Sequence, residues 1–173
     1  MKYYPLLYRL HAEERYLLWI SNEHDSLVVD AEGFIPSFRD FTVLRQFAAM
    51  NRYSLESEEP ILHDLDWVVT WTTGQAVPVD CVEALNAWNL FGDIAVSIQN
   101  HGITFGKLKS NHFEIYDKLF WGNNLPAVTP EGKQYIPQWS PDELKSLAQI
   151  LTVGLDLFVS CTRIWPPTPI GPG

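Results

Sequence analysis

Lysine and arginine are missing altogether between Arg52 and Lys107, an absence that stands out in a chain of 173 residues with a net charge of −9. The interval holds Glu56, Glu58, Glu59, Asp64, Asp66, Asp80, Glu83 and Asp93, and an earlier cluster of Glu23, Asp25, Asp30 and Glu32 is likewise unrelieved by a fixed base. Such a surface repels nucleic acid and anionic lipid, which need Lys or Arg to displace condensed counterions, and attracts basic proteins at enhanced rates. The aromatic residues, 13% of the chain, therefore do not make a nucleic-acid stacking platform, which requires a basic groove as well.

Other absences narrow the field further. The only cysteines, Cys81 and Cys161, fall far apart on the apolar stripes of two predicted helices, as reduced buried thiols do rather than a disulfide framework. Purely apolar runs are short, nothing approaches the roughly 20 residues that span a bilayer, and Met1-Lys2-Tyr3-Tyr4-Pro5 does not open a signal sequence. The expected location is the cytoplasm, with no membrane partner. Glycines are scattered, so no P-loop or dinucleotide fingerprint occurs, no serine has the flanking glycines of a nucleophile elbow, and no His-x-x-x-His pair is present. No cofactor, resident metal or catalytic set is expected, and the chain reads as a binder rather than an enzyme.

The hydrophobic content, 46%, is enough for one sizeable core. Tyr4, Leu6, Tyr8 and Leu10 alternate with Pro5, Leu7 and Arg9, Tyr16 to Ile20 is β-rich, and Leu27 to Val29 forms a third short run, together an antiparallel meander. From Phe38 the apolar period lengthens and predicts a helix over Ser37 to Asn51, capped by Ser37. Ser54 to Pro60 reads as an exposed acidic loop, and Ile61 to Thr72 as an apolar segment of undecided type. Asp80, with Glu83 at capping-box spacing, opens a helix on Cys81, Leu85, Trp88, Phe91 and Ala95, whose opposite side carries Glu83, Asn86, Asn89, Asp93 and Ser97. Ser140-Pro141-Asp142-Glu143 opens another, predicted to pack on the first. Phe113 to Trp121 is a shorter amphipathic piece, and Pro130-Glu131-Gly132-Lys133 a turn that suits a small hairpin. The fold class is α+β: an N-terminal antiparallel β-meander packed with several α-helices in a single domain, residues 1–164, followed by a Pro/Gly-rich extended tail, 165–173.

Two groups of residues offer binding chemistry. The carboxylates Glu56, Glu58, Glu59, Asp64 and Asp66 concentrate charge, and Trp121 sets an aromatic anchor beside the polar loop residues Asn123 and Asn124. His63, Asp64 and Asp66 also raise the alternative of a small metal-dependent hydrolase, since a His-Asp doublet supplies two metal ligands. A second alternative is an acidic nucleic-acid mimic that binds DNA-binding proteins.

The stretches EALNAWNLFGDIA (Glu83 to Ala95) and YDKLFWGNNLPAVTPEG (Tyr116 to Gly132), with the acidic loop and LHDLDW (Leu62 to Trp67), resemble immunity proteins of bacterial contact-dependent growth inhibition and related polymorphic toxin systems. The resemblance implies a cytoplasmic protein that binds one cognate toxin C-terminal domain, a basic protein and very often a nuclease, and masks its active site. It carries over no residues position by position.

Overall fold

A computed structural model describes residues 1–74, 78–98 and 103–166. Strands β1 (Lys2–Leu10) and β2 (Glu13–Ser21) pair antiparallel along their whole length, from Lys2↔Ser21 to Leu10↔Glu13. The alternation visible in the sequence sorts Leu6, Tyr8 and Leu17 to one face and Leu18 to the other. Strand β3 (Ser26–Leu27) pairs antiparallel with β2 and completes the meander. The turn between β1 and β2 places His11 and Ala12 at φ 56° and 59°, left-handed angles that a two-residue hairpin demands and that Asn-Gly normally supplies.

The helix predicted from Ser37 begins later. Ile35–Phe38 is strand β4, buried on both faces, and helix α1 (Phe41–Met50) is capped by Asp40, whose carboxylate accepts from the Val43 N–H at 2.9 Å. Ser37 is 2% exposed and its hydroxyl lies 2.6 Å from the Tyr8 hydroxyl. A strand covered on both faces loses the period-2 signal, so its apolar positions merged with the helix that follows. The undecided segment resolves into both types: strand β5 (Leu62–Asp64), parallel to β1, turns directly into helix α2 (Leu65–Thr72).

Helices α3 (Cys81–Ser97), α4 (Ile103–Ser110), α5 (Phe113–Gly122) and α6 (Pro141–Cys161) follow, and strand β6 (Thr162–Trp165) closes the described chain. The sheet runs β5-β1-β2-β4-β6, with β3 also on β2; the β1–β5 and β4–β6 pairs are parallel. One face carries the larger core, built with α2, α3, α5 and α6, and α1 covers the other, where Phe38, Phe47 and Trp165 pack together. Trp165 thus belongs to the sheet, while residues 167–173 lie outside the described residues. α4 and β6 had not been anticipated from the sequence.

α6 opens with the full capping box, Ser140 accepting from the Glu143 N–H and Glu143 accepting from the Ser140 N–H. At 21 residues and a mean hydropathy of 1.4 it is long and apolar enough to cross a membrane; here Leu147, Ile150, Leu151, Leu157 and Phe158 face the protein core. α3 and α6 pack against each other as expected, with Gly154 under the Phe91 ring. Pro130–Lys133 does turn, through a 3.0 Å bond from the Lys133 N–H to the Pro130 carbonyl, but it joins no strands. The Asn124 side chain ties the loop instead, donating to the Tyr135 carbonyl and accepting from its N–H.

Candidate functional site: an acidic cleft beside the central helix

α3 is buried on most of its circumference, from Cys81 and Ala84 through Trp88 and Phe91 to Ile94. Its polar stripe is therefore not a free solvated face. Ser97 accepts from the Leu27 N–H at 2.7 Å, Asp93 accepts from the Trp19 indole N–H at 3.0 Å, and Glu83 accepts from the Asp64 N–H at 3.3 Å. Asp80 caps the helix alone, taking the N–H groups of Val82 and Glu83, and no reciprocal box forms because Glu83 turns to β5.

Between the Asn86, Asn89 and Asp93 stripe of α3 and the β1–β2 hairpin opens a cleft of about 700 Å³. Tyr4, Trp19 and Tyr116 supply aromatic wall, Asp25 enters from the turn after β2, and Glu58 and Glu59 stand at the loop before β5. The loop is held there because the Glu56 N–H donates to the Tyr3 carbonyl at 2.8 Å and Leu55 bridges Tyr3 along the open edge of β1. Lys109 reaches in from α4 and its ammonium lies against Gly92, where an added Cβ would sit 2.5 Å from Nζ. His63 also lines the cleft, and burial pushes its pKa down, so the ring is neutral.

The ion pairs within 4.0 Å among the described residues lie elsewhere. Arg9 pairs with Glu14 and Asp64, Arg15 with Glu13, Arg39 with Asp40, Lys118 with Glu143, and Arg163 with Asp30 and Glu32. Among the described residues, none of the cleft carboxylates Asp25, Glu58, Glu59 and Asp93 makes an ion pair within 4.0 Å. Asp93 is the deepest of them: burial pushes its pKa from the ordinary 3.8 up to about 6, with the Trp19 hydrogen bond opposing and the Asp25 charge adding to the rise. Burial likewise pushes the Lys109 pKa down, against the pull of Asp93.

The sign of the consequence is fixed by that direction. Between 3.8 and about 6 the folded state keeps a proton on Asp93 that the unfolded chain releases, so this group's contribution to stability falls as pH rises through the window and is flat above it. A rise of this size corresponds to about 3 kcal/mol; with screening in the open cleft, about 1–2 kcal/mol is expected to remain. Asp93→Asn, which keeps an acceptor for Trp19, should therefore be the more stable protein by about 1–2 kcal/mol at pH 7. In urea unfolding the difference should vanish below pH 4; a constant difference across that range would show that Asp93 is not the titrating group.

Four of the other residues singled out in the sequence, Asp64, Asp66, Asn123 and Asn124, are committed internally. Asp64 caps α2 by accepting from the Trp67 N–H and pairs with Arg9, while Asp66 accepts from the N–H groups of His11 and Ala12 at 2.6 and 2.8 Å. Asp66 thus holds the strained hairpin turn with two charge-assisted bonds, and Asp66→Ala is expected to cost about 2 kcal/mol in chemical unfolding. Ala12→Gly should recover part of that loss by relieving the positive φ. The Asn123 amide donates to the carbonyls of Cys81 and Leu119, and Asn124 is spent on the loop, so neither offers the free donors that an exposed loop suggested. Trp121 remains 47% exposed, edge-on to Phe120. His63, Asp64 and Asp66 do not converge: no group of three His, Cys, Asp or Glu among the described residues is placed to hold a metal.

Asn86, Asn89 and Asp93 share a face by their three- and four-residue spacing, legible in the sequence, but Trp19, Asp25, Lys109 and Tyr116 come to the cleft from four other segments and carry no common signal.

The geometry defines a mixed-sheet α+β fold with an acidic, aromatic-walled cleft against its central helix. In architecture it is similar to the C-terminal domain of SatS, solved as a crystal structure in complex with bromine: the TM-score is 0.52 at 13% identity, over 94% of this chain and 93% of that one. At that identity the likeness is one of fold. No family model matches the sequence, and no curated protein matches it.

Proposed function

We propose that this protein is an immunity protein that captures one basic toxin domain, in the manner of polymorphic toxin systems, and covers its active site. The observation that carries the reading is the cleft whose four carboxylates, Asp25, Glu58, Glu59 and Asp93, are left without ion pairs among the described residues while Arg9, Arg15 and Arg163 are paired with other acids. Half-buried Asp93 and the exposed Asp25, Glu58 and Glu59 around it present one sign of charge to an arriving cation. Loop 54–60 holds Glu58 and Glu59 at the mouth, where they steer a basic partner. In this reading the protein acts in the cytoplasm, uses no cofactor and performs no chemistry of its own.

The test is co-expression with the C-terminal domain of a large exported protein encoded immediately upstream. Capture of that domain and survival of the cell are the expected outcome. Binding to several unrelated basic proteins instead would favour the nucleic-acid mimic, and absence of any capture would end the immunity reading.

A further inference from the structure

We infer that the floor of the cleft is a receptor for a single guanidinium group, the end of an arginine side chain offered by the partner. This rests on the proposed partner-binding role and assigns the cleft a ligand. Three features converge on that chemistry. The cavity, about 700 Å³, exceeds what an arginine side chain fills and is open to solvent at the Glu58 and Glu59 mouth. Aromatic side chains line it: Tyr4 and Trp19, whose rings lie 5.6 Å apart at 54°, and Tyr116, and a planar, weakly hydrated cation packs on aromatic side chains better than an ammonium does.

The third feature is the acceptor set. Trp19 donates to one oxygen of Asp93, Oδ2, which fixes the carboxylate and leaves Oδ1 free of protein hydrogen bonds among the described residues. The side chains of Asn89 and Asn86, one and two helical turns from Asp93 on the same stripe, also line the cleft and carry amide oxygens. A guanidinium presents donors in a rigid planar fork that matches a carboxylate in fixed geometry, whereas an ammonium acts as a point charge.

Lys109 is the resident charge. Four carboxylates against one ammonium leave the cleft three charges negative with His63 neutral, so a cation is still attracted. The energetic cost of keeping Asp93 ionised in this place is the cost of holding the floor ready for a cation.

The probe is the blocked tripeptide acetyl-Gly-Arg-Gly-amide, titrated into the full chain at pH 7.5 while the Trp19 indole N–H is followed by NMR. Saturable binding is expected, about tenfold weaker with lysine in place of arginine, and absent when citrulline, the uncharged isostere, replaces it. Asp93→Asn should weaken the arginine peptide at least tenfold while remaining folded; Asn89→Leu, which removes an exposed amide acceptor of the cleft without touching the carboxylate, should do the same. Equal binding of the citrulline peptide, or unchanged binding by both variants, would overturn the inference. The two levels separate cleanly. If the toxin domain is captured equally by wild type and Asp93→Asn but lost on charge reversal at Glu58 and Glu59, the mouth is the interface and the guanidinium floor is wrong. If the peptide binds as described but no toxin domain is captured, the floor stands and the immunity reading falls.

Discussion

Reversing the charge at Asp25, Glu58 and Glu59 together is expected to slow association with the basic partner by about 100-fold at low salt. The three residues enclose the mouth of the cleft from two separate loops and none is ion-paired among the described residues. Substituting three lysines changes the local charge by six and turns an attractive funnel into a repulsive one. Glu58 and Glu59 are exposed, so the fold should be indifferent and the thermal transition unchanged. The effect should also shrink as salt shortens the Debye length from about 10 Å at 0.1 M to about 3 Å at 1 M. Stopped-flow association at several ionic strengths checks both points. A variant that associates as fast as wild type at every salt concentration would place the interface on another face, for which the exposed Trp121 is the natural starting point.

The largest effect on stability is expected from Gly154→Val. An added Cβ at this position would lie 2.1 Å from Cδ2 and 2.6 Å from Cγ of Phe91, a ring that is itself fully buried between Phe105 and Phe158. The ring has no free space to turn into, so α3 and α6 must separate. Overpacking of this kind costs about 1–3 kcal/mol for small insertions, and a branched side chain at a backbone-close crossing should reach or exceed the upper value. A loss of about 3 kcal/mol lowers the melting temperature by about 10 °C in a chain of this size. Gly106→Ala is the matched control: it sits in α4 with nothing within 4 Å of an added Cβ, and helix propensity alone should raise stability by about 0.5–1 kcal/mol. Calorimetry on both variants distinguishes a steric role for Gly154 from a general preference for glycine.

Local chemistry explains which parts of the fold were legible. The α6 start was plain because Ser140, Pro141 and Glu143 satisfy the first-turn donors from within four consecutive residues. The hairpin was legible because Tyr4, Leu6, Tyr8 and Leu10 recur at every second position of β1 and Tyr16 to Ile20 is rich in β-formers. β4 was hidden, since a strand buried on both faces has no alternation to display. β6 was hidden for a related reason: four residues directly after the last turn of α6 extend its apolar pattern, and only pairing with β4 makes them a strand. Asp64 and Asp66 looked like surface charge because a carboxylate that caps a helix or braces a distant turn has the same sequence appearance as one facing solvent.

By itself the sequence determined the α+β class, the starts and N-caps of the two long helices, and the charge imbalance, because each depends on residues within a few positions of one another or on composition alone. The base-free interval of Arg52 to Lys107 was complete at that level. Tertiary structure decided which of its acids are spent and which are free. Asp64, Asp66, Asp80 and Glu83 are bound to backbone donors, whereas Glu58, Glu59 and Asp93 meet Asp25 around one cleft. That division depends on the β1–β5 pairing and on the burial of α3, contacts between segments tens of residues apart, and no local pattern encodes them.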